Sequence, residues 1–199
     1  MTKAIIGLGN IGKKYVGTRH NLGFEVVSRV GETLEAVQLP GRANFQAAEA
    51  HLPERDPEAT LILAWPTTYM NLSGEAVKEL VDELALTPDE ILVVVDDFNL
   101  PLGALRFRSE GSDGGHNGLV SIIEQLGTQQ FPRLRLGVGQ PPKGADVADY
   151  VLSKFKRAER KEVERMVALA AEAVIFAVLH RFEEAMSQFN RNPALPAQE

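Results

Sequence analysis

Apolar side chains along the chain fall into runs and helical repeats that predict alternating strands and helices. An apolar run ending at Ile6 reads as a buried first strand, and Phe24, Val26, Val27, Val30 and Leu34 recur at helical spacing in a helix from about Asn21 to Val37. Phe45 to Leu52 and Thr60 to Ala64 read as two strands across a polar turn holding Pro53, Asp56 and Pro57, with Trp65 to Asn71 as a loop. Ala76, Val77, Leu80, Val81 and Leu84 outline an amphipathic helix, with Asn71 or Ser73 available as N-cap. Thr87-Pro88-Asp89-Glu90 fits a capped single turn leading into Ile91 to Asp96, an apolar, largely β-branched run expected of a strand covered on both faces. Leu105 to Arg108 is a short strand, Gly111 to Gly118 a glycine-rich loop, Leu119 to Leu126 a helix stopped by Gly127, and Leu134 to Val138 another strand. Asp146 can cap a short helix reaching Phe155, and one long amphipathic helix is expected over roughly Ala158 to Phe189. The pattern predicts a single three-layer α/β/α domain over 1–192, with a mixed, mostly parallel central sheet, and a disordered tail from Pro193.

Composition narrows the class. The 199 residues suit one domain, and 44% hydrophobic with 24% charged residues is ordinary for a globular protein. No uncharged apolar stretch is long enough to span a membrane, and no signal segment is expected because Met1-Thr2-Lys3 runs straight into the first strand, so a cytoplasmic location is the default. Zero Cys excludes a disulfide frame, a thiolate nucleophile and a Cys-rich zinc site. His20, His51, His116 and His180 lack the short helical spacing of a zinc motif, so no metal and no cofactor are expected.

The net charge of −6 argues at first against a nucleic-acid partner, but it is unevenly placed. Residues 1–24 carry four basic and no acidic side chains, and residues 98–160 carry nine basic against six acidic. These segments can meet phosphates, or they can be solvated faces.

Gly7, Gly9 and Gly12 match the G-x-G-x-x-G spacing of a dinucleotide cradle. In that fold the third glycine opens a helix whose N-terminus holds the pyrophosphate. Here the helical repeat starts only at about Asn21, so the glycines are expected to open a loop. Polar residues gather where strands end or loops begin: Asn10, Tyr15 and His20; Tyr69, Met70 and Asn71; Asp96; and His116 with Asn117. A His with a carboxylate to orient it, among Asn amides that can donate to an oxyanion, can activate water against an ester. Taken singly, each has a plainer account: Asn10 and Asn117 as turn residues, Asn71 as a helix cap, Met70 as core.

Four boxes in order carry a resemblance: Gly7-Leu8-Gly9-Asn10-Ile11-Gly12 with Thr18-Arg19-His20-Asn21; Pro66 through Gly74; Asp96-Asp97-Phe98-Asn99-Leu100-Pro101 with Gly103; and Gly114-Gly115-His116-Asn117-Gly118. Over residues 3 to about 155 the chain resembles the bacterial-type peptidyl-tRNA hydrolases. That resemblance implies a monomer without metal or cofactor that cleaves the ester between a peptide and the terminal ribose of tRNA, recycling tRNA from chains released prematurely. It implies His20 as general base, Asp96 as the group stabilising it, and Asn10 as a contact near the scissile ester that helps tell peptidyl from free aminoacyl groups. Tyr15, Tyr69, Met70, Asn71 and Asn117 would bind the peptidyl and terminal-adenosine end. Arg106, Arg108, Arg135 and Lys143 would meet phosphates, and the ribosome is a candidate partner. Three positions depart from the family pattern: Ile11 for the usual Pro, Asn99 for a frequent Asp, and Trp65 where Lys is common. A binding protein that keeps the fold without catalysis, as in related organellar RNA-splicing factors, and a nucleotide-dependent oxidoreductase remain the rival readings.

Overall fold

The computed structural model describes residues 2–54 and 56–190, so the tail expected from Pro193 lies outside the described residues. Seven strands form one sheet: β1 (Ala4–Gly7), β2 (Val37–Gln38), β3 (Phe45–His51), β4 (Thr60–Pro66), β5 (Ile91–Asp97), β6 (Leu105–Arg108) and β7 (Arg133–Gly137), in the order β2-β3-β4-β1-β5-β7-β6. The central strands β4, β1, β5 and β7 run parallel, while β3 and β6 run against them. The sheet is therefore mixed and mostly parallel. Helices α1 (Leu22–Thr33), α2 (Ser73–Glu83), α3 (Asn117–Leu126), α4 (Val147–Val151), α5 (Arg160–Leu179) and α6 (Phe182–Phe189) complete it.

Alternation along the strands sorts the core into two layers. Ile5, Leu61, Leu63, Leu92, Val94, Leu105, Phe107, Leu134 and Leu136 face α1, α5 and α6. Ala4, Ile6, Ile91, Val93 and Val95 face α2 and α3. All seven residues of β5 are buried, as its continuous apolar run requires of a strand with both faces covered. The chain leaves β1 for α1 on one face and leaves β4 for α2 on the other. A crevice therefore opens outside the carboxyl ends of β1, β4 and β5, where open α/β sheets place their ligands.

The glycine pattern serves this packing. A Cβ at Gly7 would sit 2.3 Å from the Gly23 carbonyl oxygen, and one at Gly23 would meet the Leu8 amide nitrogen and the Val94 carbonyl oxygen, both at 2.4 Å. Gly9 lies against the Phe24 ring, 2.7 Å from where its own Cβ would be. These residues let α1 press onto β1 and β5 at backbone distance. A loop and two single 3-10 turns, Lys13–Tyr15 and Arg19–Asn21, separate the glycines from α1, as the late helical repeat predicts.

Several element ends differ from the pattern. The first helix stops at Thr33 rather than Val37, because Glu35 takes a left-handed conformation (φ 51) and the Ala36 amide closes back on the Gly31 carbonyl at 2.9 Å. Leu34 and Ala36 keep their core contacts, so apolar spacing persists past the turn, and Val37 belongs to β2. Trp65 lies within β4, not in the loop that follows. Neither Asn71 nor Ser73 caps α2: Leu72 precedes it, and Ser73 Oγ donates to the Met70 carbonyl at 2.8 Å. Asp146 does cap α4, accepting from the Asp149 amide at 3.0 Å, but α4 ends at Val151. The long terminal helix is two helices, broken at His180 and Arg181, both extended. The break turns Phe182, Ala185 and Phe189 back onto the core, with Phe182 edge-on to Phe107 at 5.5 Å. It also brings Asn190 beside β6, where its side chain accepts from the Phe107 amide at 2.6 Å and donates to the Phe107 carbonyl at 3.2 Å.

Backbone flanks Gly23 on both sides, so neither neighbour can yield to a methyl group. Gly23→Ala is expected to cost about 3 kcal/mol or more, at the upper end of overpacking effects. Urea unfolding should show this as a lower midpoint at unchanged slope.

Candidate active site

One oxygen atom gathers the elements of the crevice. Asp96 is buried near the carboxyl end of β5, and its Oδ1 lies 2.9 Å from His20 Nδ1 and 3.0 Å from His116 Nε2. His20 rides on the 3-10 turn Arg19–Asn21, and His116 is the N-cap of α3. Both imidazoles are buried, with their rings tilted 52° at a centroid separation of 4.8 Å.

The hydrogen-bond pattern assigns the tautomers. His116 Nδ1 accepts from the Gly118 and Leu119 amides at 3.2 and 3.4 Å, so its proton is on Nε2 and is donated to Asp96. His20 then donates from Nδ1 to the same oxygen, which leaves its Nε2 as an unprotonated lone pair with no partner among the described residues. Burial opposes ionisation of Asp96, but the two imidazoles and their hydrogen bonds outweigh it and hold the carboxyl well below the usual carboxylate range.

The three side chains are close enough to suggest a metal cluster, since their ligand atoms lie within 4.8 Å of one another. The cap argues otherwise. A neutral imidazole that ligates through Nε2 carries its proton on Nδ1, and in His116 that atom faces two N–H donors. The donor set fits a hydrogen-bonded triad better than a metal.

Asn10 is buried at the start of the loop after β1 and is held three ways. Asn21 accepts from its backbone amide at 2.9 Å and donates to its carbonyl at 3.0 Å, while Asn10 Oδ1 accepts from the Met70 amide at 2.8 Å. Its Nδ2 has no partner among the described residues. Met70 is buried, with its sulfur in the position a Cβ on Gly118 would need, 2.6 Å away, so it packs the first turn of α3 against the Asn10 loop. Tyr69, Asn71 and Asn117 are exposed on adjoining turns, and Tyr15 is half-buried. Lys14, not among the expected site residues, lies 4.6 Å over the Tyr15 ring. Its pKa is raised, first by its interaction with the Tyr15 hydroxyl.

The expected basic residues follow β6 and β7. Arg106 is the register partner of Arg135, and Arg108 of Arg133. These side chains occupy the strand faces opposite Leu105, Phe107, Leu134 and Leu136. Arg135 Nε lies 2.8 Å from Asp97 Oδ2, next to Asp96, and its guanidinium sits beneath Gly114. Arg106 Nε is buried with no hydrogen-bond partner among the described residues, whereas Arg108 and Lys143 are exposed. Arg133, also unexpected, is buried without a carboxylate. It donates to the carbonyls of Gly111 (2.7 Å), Ser112 (3.2 Å) and Gln129 (2.8 Å), and lies 4.0 Å over the Phe131 ring. Burial, then Arg135, lowers its pKa to about 10, so it stays charged at neutral pH and pins the glycine-rich loop.

Two of the three departures from the family pattern have local structural roles. Trp65 Nε1 donates to Ser28 Oγ at 3.2 Å, tying β4 to α1. Asn99 Nδ2 donates to Asp97 Oδ1 and to the Gly114 carbonyl, each at 3.2 Å, joining the β5 end to the glycine-rich loop. Ile11 is exposed. The sequence reading did not place His116 in the triad or give Asn21 its anchoring role. The signal for the first was its position immediately before the helical run, where an N-cap belongs.

The family profile for peptidyl-tRNA hydrolase matches residues 4–197. A peptidyl-tRNA hydrolase of a Sulfurihydrogenibium species is 45% identical over 192 residues, covering 96% of this chain and 99% of that protein. The peptidyl-tRNA hydrolase of Aquifex aeolicus is 44% identical over 190 residues, covering 95% and 96%. Among solved structures, peptidyl-tRNA hydrolase from Acinetobacter baumannii superposes with a TM-score of 0.87 at 30% identity, covering 96% of this chain and 95% of that one. Similarity of this extent, in sequence and in fold, shows that the chain belongs to the peptidyl-tRNA hydrolase family.

Proposed function

We propose that the protein hydrolyses the ester between a peptide and the 3′-terminal ribose of tRNA, acting in the cytoplasm as a single-domain monomer on peptidyl-tRNAs lost from the ribosome. The observation that carries the mechanism is the shared Asp96 oxygen: His116 has its second nitrogen committed to the α3 cap, and His20 alone keeps a free lone pair. His20 Nε2 takes a proton from water as the water oxygen bonds to the ester carbonyl carbon. Asp96 stabilises the imidazolium that forms. The tetrahedral intermediate then expels the ribose oxygen, which takes the proton back from His20, leaving a peptide carboxylic acid and a free terminal hydroxyl.

Asn10 Nδ2 is the donor aimed at the carbonyl oxygens of the peptidyl group, with its own Oδ1 held by Met70 so that it cannot turn away. Tyr15, Tyr69, Asn71 and Asn117 form the rim for the terminal adenosine and the peptide. Phosphates of the acceptor arm lie along Arg106, Arg108 and Arg135, with Lys143 nearby. Direct contact with the ribosome is not needed for any of these steps.

An N-blocked aminoacyl-tRNA, run beside the unblocked form and without added metal or nucleotide, tests the reading. Rapid release from the blocked substrate alone is expected, insensitive to EDTA, and His20→Ala should lower kcat by about 10² to 10⁴. No release by the wild-type protein would overturn the hydrolase reading, whether the chain proves to bind RNA without cleaving it or to bind NAD tightly.

Asp96 also has a stability signature. Its folded pKa is depressed, so its contribution is present above the unfolded value of about 3.9 and is lost as the pH falls through the folded value. The stability gap between wild type and Asp96→Asn should therefore be largest near neutral pH and shrink below about pH 4, read by urea titrations across that range.

Salt dependence probes the arginine strip. With about three phosphate contacts, log affinity should fall against log salt with a slope of about −2 to −3, and Arg108→Ala should reduce that slope by about 1. A slope unchanged by Arg108→Ala in fluorescence-anisotropy titrations removes Arg108 from the interface.

A further inference from the structure

Arg19 immediately precedes the base assigned above, and it is 2% exposed. Its backbone amide donates to the Ser153 carbonyl at 3.1 Å. Nη1 donates to Ser153 Oγ and to the Lys154 carbonyl, both at 2.9 Å, and Nη2 lies 3.0 and 2.9 Å from the two carboxylate oxygens of Glu159. The guanidinium plane is 4.4 Å from the Tyr150 ring centroid and 4.6 Å from that of Phe155. Thr18 adds an antiparallel bridge to Lys154. Every one of these partners lies in residues 150–159, the strap that runs from α4 to the start of α5.

The turn bearing His20 thus has three moorings: Asn21 is bonded to the Asn10 backbone, and two more flank the base itself. On one side the imidazole is bonded to Asp96 on the sheet, and on the other Arg19 is bonded to the strap. The turn itself is a three-residue 3-10 element without a side-chain cap, so it supplies little stiffness of its own. We propose that Arg19 and Glu159 form a positioning pair that holds the His20 turn against the strap and so sets the distance of the imidazole from Asp96. The proposal rests on the reading of His20 as the base.

Two features argue for positioning over simple adhesion. Arg19 Nε is buried with no hydrogen-bond partner among the described residues, so the guanidinium carries an unmet desolvation cost that an apolar filler would avoid. What an apolar side chain lacks is a planar fork that bonds Ser153, Lys154 and Glu159 at once while stacking between two rings. Glu159 is itself fixed, accepting from the Lys156 amide at 2.6 Å, so the anchor does not swing with the turn. A displacement of about 1 Å at a catalytic group can cost about a hundredfold in rate.

The test uses the full-length protein with Glu159→Gln, which keeps the shape of the anchor and removes its charge, and Arg19→Lys, which keeps the charge and removes the fork. Steady-state kinetics on N-blocked aminoacyl-tRNA should show kcat lowered about ten- to a hundredfold by either variant, with KM within about twofold. Nitrogen-15 spectra of the imidazoles, recorded without substrate, should show the Nδ1 proton of His20 broadened or lost while that of His116 Nε2 is kept. Wild-type kcat and an unchanged His20 signal in a folded Glu159→Gln protein would overturn the proposal, as would a loss of activity that only tracks the folded fraction. Should Glu159→Gln not fold, Arg19→Lys gives the same two readouts. If the wild-type protein proves unable to cleave the substrate, the hydrolase reading fails on its own, and the substrate-free spectra still decide whether Arg19 and Glu159 position His20.

Discussion

The site depends on a single carboxylate oxygen that accepts from two imidazoles at once. Asp96 Oδ1 can do so because β5 is buried along its whole length and holds the residue without freedom to move. The arrangement is directional because the second nitrogen of His116 is occupied by the opening amides of α3. A helix terminus, normally satisfied by a short polar side chain, here fixes the protonation of the imidazoles around Asp96. Secondary structure and acid–base chemistry are therefore one system in this protein.

Around that oxygen, the chain substitutes close backbone approach for long side chains. Gly7 against Gly23 and Gly9 against Phe24 bring α1 down onto the sheet, and the loop between them is forced outward over the strand ends. Asn21 then holds Asn10 by both its amide and its carbonyl, and Met70 holds the Asn10 side chain. A glycine spacing suited to a pyrophosphate is here filled by a helix and an aromatic ring.

The layered architecture was readable because periodicity reports burial directly. The apolar run of β5 and the helical stripes of α1, α2 and α3 each met the face they predicted. Ends were less readable where apolar spacing outlasted the backbone geometry, as at Leu34 and Ala36 after α1 and across His180 and Arg181 between α5 and α6. The site divides in the same way. Asn10, His20 and Asp96 stand at strand and loop boundaries that patterning can locate, but a contact across 76 residues of chain has no periodic trace, and here only the ordered motifs pointed to it. His116 was singled out but not as a helix cap, since histidine is not among the preferred N-caps. Arg19 and Arg133 were hidden because a buried arginine and a solvated one look identical in sequence.

The side chain of Asn190 has a consequence beyond its place at the end of α6. By accepting from and donating to the outward-facing amide and carbonyl of Phe107, it imitates one residue of a neighbouring strand on the open side of β6. At the opposite border β2 is only two residues long. Both margins of the sheet are thus poor templates for adding a foreign strand, a form of protection against edge-to-edge aggregation.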